Sequence, residues 1–163
     1  MKNKLIEAAL LLSVVSLMIA CNSKKEEVAA PVIDKEQIKK EIQAKEDEFA
    51  AVYNSREFKS IGYYADDATT FAQNRPPLVG RAAIVEYLKS GIESSSEGIK
   101  ISFLTNEVFV SNDGNQVIEV GSFKLVDAAD TTLNTGNYMV LFEKRNGSYV
   151  SVREMSVSDI PLE

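Results

Sequence analysis

An α+β domain, helices in front of an antiparallel sheet, is predicted for this chain by three features. Apolar residues recur at helical spacing only ahead of Gly98, four β-rich runs follow that glycine, and two of the gaps between runs read Asn112-Asp113-Gly114 and Asn146-Gly147. Asparagine and glycine accept the positive φ angles of tight hairpins, so these strings join antiparallel neighbours. Helices first and strands after is the α+β layering.

Asp34 with Gln37 three residues on predicts a helix start, the carboxylate capping free amides while the glutamine reaches back. Ile38, Ile42, Phe49, Val52 and Tyr53 mark its buried face, and Lys39, Lys40, Glu46 and Asp47 are expected to point elsewhere. A second short helix is expected over residues 58–64 and a third over residues 81–90, the latter between Gly80 and Gly91. Residues 68–72 read as a short strand and Gln73-Asn74-Arg75-Pro76-Pro77 as a loop. The long strands are expected at residues 99–110, 116–126, 137–145 and 148–159, as a meander. In the last, Val150, Val152, Glu154 and Ser156 share one face, and Tyr149, Ser151, Arg153, Met155 and Val157 the other. Neither face is cleanly polar, as expected where helices cover part of one side of a bent sheet and a cavity lies under the rest.

The first twenty residues stand apart. Lys2 and Lys4 precede a thirteen-residue apolar run at residues 8–20 that ends on small Ala20, the pattern of a secretory signal. A spanning helix needs about 20 apolar residues, so this run is too short to remain in a bilayer. Cys21 is the only cysteine of the chain. The string Leu17-Met18-Ile19-Ala20-Cys21 resembles the lipobox of bacterial lipoproteins, which implies that Cys21 is lipidated, becomes the first mature residue and attaches the protein to the membrane. By the same resemblance Asn22 favours the outer membrane of a Gram-negative cell, and Ser23-Lys24-Lys25-Glu26-Glu27 is similar to the surface-export signals of Bacteroidetes lipoproteins. The residues themselves leave open an ordinary secreted protein with a free thiol. The expected organisation is a signal peptide at 1–20, lipidated cysteine and linker at 21–33, and one domain at 34–163, about the common domain size.

Loss of Lys2, Lys4 and Glu7 with the leader leaves sixteen basic and twenty-three acidic side chains, a formal charge of −7. Such a surface repels phosphates, and no basic stripe interrupts it, so nucleic acid is not an expected partner. With no histidine in the chain, the usual serine triad and the commonest neutral general base are missing. Carboxylates alone suit hard ions rather than zinc or iron, and no metal or cofactor is expected. Asn112-Asp113-Gly114-Asn115 lacks the later bidentate glutamate of a calcium loop and reads as a hairpin turn. Asp127 and Asp130 read as turn formers, and the adjacent Asp66 and Asp67 as local caps.

The stretch Phe58-Lys59-Ser60-Ile61-Gly62-Tyr63-Tyr64-Ala65-Asp66-Asp67-Ala68-Thr69, followed by Pro77-Leu78-Val79-Gly80-Arg81-Ala82-Ala83-Ile84, resembles the nuclear transport factor 2-like superfamily in its SnoaL-like and ketosteroid-isomerase-like branch. Residues 138–142, Asn146-Gly147-Ser148-Tyr149-Val150, Arg153-Glu154 and Ser158-Asp159-Ile160-Pro161 resemble the usual ending of that branch. The resemblance implies a cone-shaped roll in which three N-terminal helices and a curved antiparallel sheet enclose a pocket, with a homodimer formed through the sheet. It places the isomerase base on Ala72, whose methyl takes no proton, and the helix-borne hydroxyl donor near Glu48, with Tyr53 one turn on; isomerase chemistry of that kind is therefore disfavoured. Tyr53, Tyr64, Phe71, Phe103, Phe123, Tyr138 and Met139 are the candidate lining of the pocket, with Glu154 the candidate general acid or base. The expected function is binding of a small apolar or amphipathic molecule, or an interaction role. The alternative is a small-molecule lyase, isomerase or hydrolase acting through Glu154.

Overall fold

In a computed structural model the described residues are 33–56 and 62–161; Cys21, the leader and nearly all of the linker lie outside them. Helix α1, Lys35–Ser55, opens on Asp34, whose Oδ1 accepts the Gln37 amide at 2.9 Å, and closes on Arg56 in the left-handed region. Strand β1 (Tyr64–Ala72) and the two-residue β2 (Leu78–Val79) lead to helix α2 (Arg81–Ser94). Four long strands follow: β3 (Lys100–Val110), β4 (Gln116–Val126), β5 (Thr132–Arg145) and β6 (Ser148–Ser158).

All six strands form one sheet in the order β2-β1-β6-β5-β4-β3. The meander from β3 to β6 is antiparallel, but β1 lies parallel to β6, so the sheet is mixed. The closed cone of three helices around an antiparallel sheet is not what the chain builds. Among the described residues there are two helices, and the sheet does not curl shut: its edges, β2 and β3, pair with no further strand. Of the helix expected over 58–64, residues 58–61 lie outside the described residues, while Gly62 and Tyr63 form a turn and Tyr64 already opens β1. The Ser151 amide donates to the Tyr63 carbonyl at 2.8 Å, which draws this aromatic pair onto the sheet instead.

Helix α1 is what covers the β3 edge. The Gln43 amide donates to the Phe103 carbonyl at 3.2 Å and accepts the Thr105 amide at 2.8 Å; Asn54 does the same for the Ile101 carbonyl and amide at 2.9 and 2.8 Å. Two side-chain amides thus stand in for a missing strand on alternate residues, removing a row of free backbone groups that would template aggregation. Beneath α1 the core gathers Ile42, Phe49, Tyr63, Tyr64, Val117, Val140 and Phe142. Helix α2 runs four residues past its expected end, with Gly91 inside it. Ile92 is buried just beyond, and that burial offsets the roughly 1 kcal/mol a mid-helix glycine costs. The Arg56 guanidinium then takes up the Ile92 and Ser95 carbonyls at 2.5 and 3.1 Å, satisfying the helix end.

Two bulges set which side chains face α1. Thr105 opposes Gly121 and Glu107 opposes Val120, leaving Asn106 extra in β3; Phe142 opposes Ser151 and Leu141 opposes Arg153, leaving Val152 extra in β6. Strict alternation along β6 therefore fails at Val152. Tyr149 and Ser151 face the core before the bulge, and Glu154 and Ser156, opposite Val140 and Tyr138, face it after. Arg153, Met155 and Val157 occupy the outer face.

Candidate functional site

The inner face of the sheet and α1 leave between them an open cleft of about 160 Å³, walled by Phe49, Tyr53, Leu88, Ile101, Phe103 and Phe123, with Glu46, Tyr63, Tyr64, Tyr138, Glu154 and Ser156 as its polar members. Of the residues expected to line a pocket, Tyr53, Tyr64, Phe103, Phe123, Tyr138 and Glu154 are brought together here. Phe71 and Met139 are not. They flank Met155 on the outer face, where they are exposed, because each is one residue out of phase with an inward neighbour, Thr70 and Tyr138 respectively.

Space for the cleft aromatics depends on two glycines. A Cβ on Gly121 would lie 2.2 Å from Cζ of Tyr138, and one on Gly136 would lie 2.5 Å from Cε1 of Phe123. The Tyr138 ring therefore lies over bare β4 backbone, edge-on to Phe103 at 5.6 Å between centroids. Phe49 sits edge-on to Phe103 and to Tyr64 at 5.5 and 6.0 Å, and tilted against Tyr63 at 4.9 Å. Ring edges packed onto ring faces are the favoured geometry of aromatic pairs.

Three carboxyl groups converge under these rings, and only Glu154 was expected. Glu46 was expected on the wet side of α1, yet it is 1% exposed. Its position four residues after Ile42 and three before Phe49 places it on the buried stripe, a spacing visible in the sequence. Glu119 is fully buried, and its signal was the alternation Val117, Glu119, Gly121, Phe123 along β4. The Tyr63 hydroxyl donates to Glu46 Oε1 at 2.5 Å, the Tyr64 hydroxyl to Glu154 Oε2 at 2.9 Å, and Glu119 Oε1 receives Thr105 at 2.5 Å and Tyr138 at 3.0 Å.

Among the described residues no cation enters this cluster, so burial governs its protonation. Desolvation, then the charge of Glu119, pushes Glu46 up to about 10, and it stays protonated at neutral pH. Glu46 then donates to the Glu119 carboxyl, whose Oε2 receives no hydroxyl or amide donor among the described residues. Burial raises Glu119 as well, against the lowering effect of its hydroxyl donors. Desolvation pushes Glu154 up to about 7, with the Tyr64 hydrogen bond opposing. Tyr63 and Tyr64 are raised well above their ordinary range by burial and by these same carboxyls, so they serve as neutral donors. The arrangement provides one acid that stays neutral, one that exchanges its proton near neutrality, and phenol donors between them.

The other candidates fall outside the cleft. Ala72 ends β1 opposite Ser156. Arg153, beside Glu154 in sequence, points out and bonds the Asp67 and Val152 carbonyls. Asp67 forms a bidentate pair with Arg145 at 2.5 and 3.1 Å, and Asp66 pairs with Arg81. Asp113 accepts from Ser111 and Asn115, which hold it down at about 2, and Asp127 accepts the Ala129 and Thr131 amides. Among the described residues no group of three histidine, cysteine, aspartate or glutamate side chains is placed to hold a metal ion, and no helix is long and apolar enough to cross a membrane.

Solved structures with this arrangement are numerous. A domain of unknown function with a cystatin-like fold from Nostoc punctiforme superimposes with a TM-score of 0.66 over 81% of this chain and 82% of its own, at 12% identity. A ketosteroid isomerase-like protein from Erwinia carotovora gives 0.55 over 75% and 96%, at 18% identity. A putative calcium/calmodulin-dependent protein kinase type II association domain from Thiobacillus denitrificans gives 0.61 over 82% and 99%, also at 18%. No protein-family model matches the chain, and no curated protein matches it significantly. The chain shares the cystatin-like fold of these structures.

Proposed function

We propose that the domain binds a small, largely apolar molecule with one polar end in the cleft between α1 and the sheet, as a member of the SnoaL-like and ketosteroid-isomerase-like branch. The observation that carries this reading is the Tyr64–Glu154 hydrogen bond, which opens on the same hollow as Phe49, Phe103 and Phe123. Apolar walls with a few convergent polar groups are the usual make-up of a ligand site. A cavity of about 160 Å³ matches a single ring, since engineered cavities of about 150 Å³ take up benzene. A thermal-shift screen of single-ring molecules tests it. Hits are expected to raise the melting temperature and to move tyrosine resonances of the cleft; a screen without a hit that maps there refutes the reading.

A catalytic reading is favoured by one specific observation. Glu154, pushed up to about 7, is poised to take or give a proton where it lines the cleft. An isomerase, lyase or hydrolase of this design loses at least a hundredfold in turnover with Glu154→Gln while still binding substrate. Loss of binding and turnover in equal measure refutes it.

The domain is carried on a linker from lipidated Cys21, at the outer membrane, after removal of residues 1–20. Mass spectrometry of membrane-extracted protein is expected to find diacylglycerol on Cys21, and a free thiol overturns the anchor. The outer sheet face, with Phe71, Ile118, Met139 and Met155 exposed together, supports a homodimer through the sheet, in keeping with the association domain among the similar structures. Sedimentation equilibrium is expected to show a dimer that Met139→Lys dissociates.

A further inference from the structure

The charges around the cleft are one-sided. Among the described residues its only charged or chargeable carboxyls, Glu46 and Glu154, stand among aromatic rings, and no lysine or arginine lines it. The basic side chains nearby are engaged elsewhere: Arg153 on carbonyls of the outer face, Arg56 on the end of α2, Lys39 on the Asn106 carbonyl at 2.7 Å. Glu154 receives one protein hydrogen bond, from Tyr64 to Oε2; Oε1 receives none among the described residues. Behind it Glu119 is fully buried, with only hydroxyl donors and the Glu46 carboxyl as partners among the described residues.

An anionic ligand entering this hollow meets like charge and no counter-ion. A neutral ligand leaves an ionised carboxylate against apolar surface. A cation is attracted twice, by the negative faces of the rings and by the carboxylate, and the aromatic ring is the surface that takes up a positive charge at least desolvation cost. From this one-sided charge lining the aromatic hollow we infer that the ligand is a small organic cation, an alkylated or quaternary ammonium, seated on the rings of Phe103, Phe123 and Tyr138 with its charge toward Glu154. This rests on the reading of the cleft as a ligand site and names the class of ligand it takes.

The groups facing Glu154 are Tyr64 from β1, Tyr63 from the turn before it, Glu46 from α1, Glu119 from β4 and Tyr138 from β5. The three phenols are all raised by burial and remain neutral, and Glu46 keeps its proton to about 10, so of the carboxyls lining the cleft Glu154 is the one that changes charge near neutrality, with Glu119, also raised by burial, behind it. A bound cation favours its ionised form. Affinity for a permanent cation must therefore fall as pH drops through about 7, by roughly tenfold between pH 8 and pH 6.

Three probes of matched shape decide it: choline, its neutral isostere 3,3-dimethylbutan-1-ol, and the anion 3,3-dimethylbutanoate, titrated into the protein with tyrosine and backbone resonances as the readout. Choline is expected to bind at least tenfold more tightly than the alcohol, to weaken about tenfold from pH 8 to pH 6, and to lose both features in Glu154→Gln. The pH profile of the wild type carries the same test should that variant not fold. An alcohol or a carboxylate binding as well as choline overturns the cation while leaving the cleft a ligand site. If none of the three moves a cleft resonance the cation is likewise overturned, and the single-ring screen alone then decides whether the cleft binds anything.

Discussion

Replacing Glu46 by glutamine separates a protonated core acid from an ionised one. In the unfolded chain this carboxyl titrates near its ordinary 4.5; in the folded protein it holds its proton to about 10, through burial and then the charge of Glu119. Below 4.5 both states are protonated and the group has no effect on stability. Above it the unfolded state releases the proton and the folded state does not, so stability falls as pH rises through the window from 4.5 to about 10. The slope is about 1.4 kcal/mol per pH unit for one proton, which accumulates to about 4 kcal/mol between pH 5 and pH 8. Glutamine keeps the shape, accepts from Tyr63 and donates its amide to Glu119, but has no proton to lose. Urea denaturation of both proteins at pH 5, 6.5 and 8 is expected to find them of similar stability at pH 5, with the variant more stable by up to about 4 kcal/mol at pH 8. A gap that stays constant with pH, or widens in the wild type's favour, refutes a protonated Glu46.

Gly121→Ala drives a Cβ to within 2.2 Å of the Tyr138 ring, and is expected to cost about 2 kcal/mol in denaturant unfolding and to displace the Tyr138 resonances. Tyr64→Phe removes the hydrogen bond that lowers Glu154, so the carboxyl is expected to titrate about one unit higher in a carbon-detected NMR titration. Gln43→Ala uncovers the Phe103 carbonyl and the Thr105 amide on the edge of β3, and is expected to cost about 1–2 kcal/mol and to speed hydrogen exchange at Thr105.

The elements were legible in the sequence because their signals are local. Asp34 and Gln37 mark the start of α1, and the hairpin strings at 112–114 and 146–147 pin the register of β3 to β4 and β5 to β6. The early start of β1 was not, because Tyr64-Ala65 reads equally as the tail of a helix and only pairing with β6 decides it. Nor was the phase of the strands. Alternation tells which residues share a face but not which face is inside, and here the outer face carries Phe71, Ile118, Met139 and Met155, as apolar as the inner. With hydrophobicity mute on the choice, the sequence groups Phe71 and Met139 with the cleft and gives no prominence to Glu119. Glu46 misleads for a different reason: its charge reads as a mark of exposure, although its spacing from Ile42 and Phe49 marks the buried stripe.

The bulge at Val152 joins the fold to the chemistry. A regular β6 that points Tyr149 and Ser151 inward would also point Arg153 inward and turn Glu154 to solvent, placing a cation where the structure has a carboxylate. One extra residue reverses that choice over the second half of the strand while Val152 itself stays buried at 3% exposure. The inward arginine would have neutralised the acids of the core and removed the cost they impose above pH 4.5. Three clustered carboxyls, two of them fully buried, with no cation beside them among the described residues are a poor device for stability, since apolar residues of the same volume would serve the core better. Their cost makes sense at a place where a ligand, rather than the protein, supplies the missing positive charge.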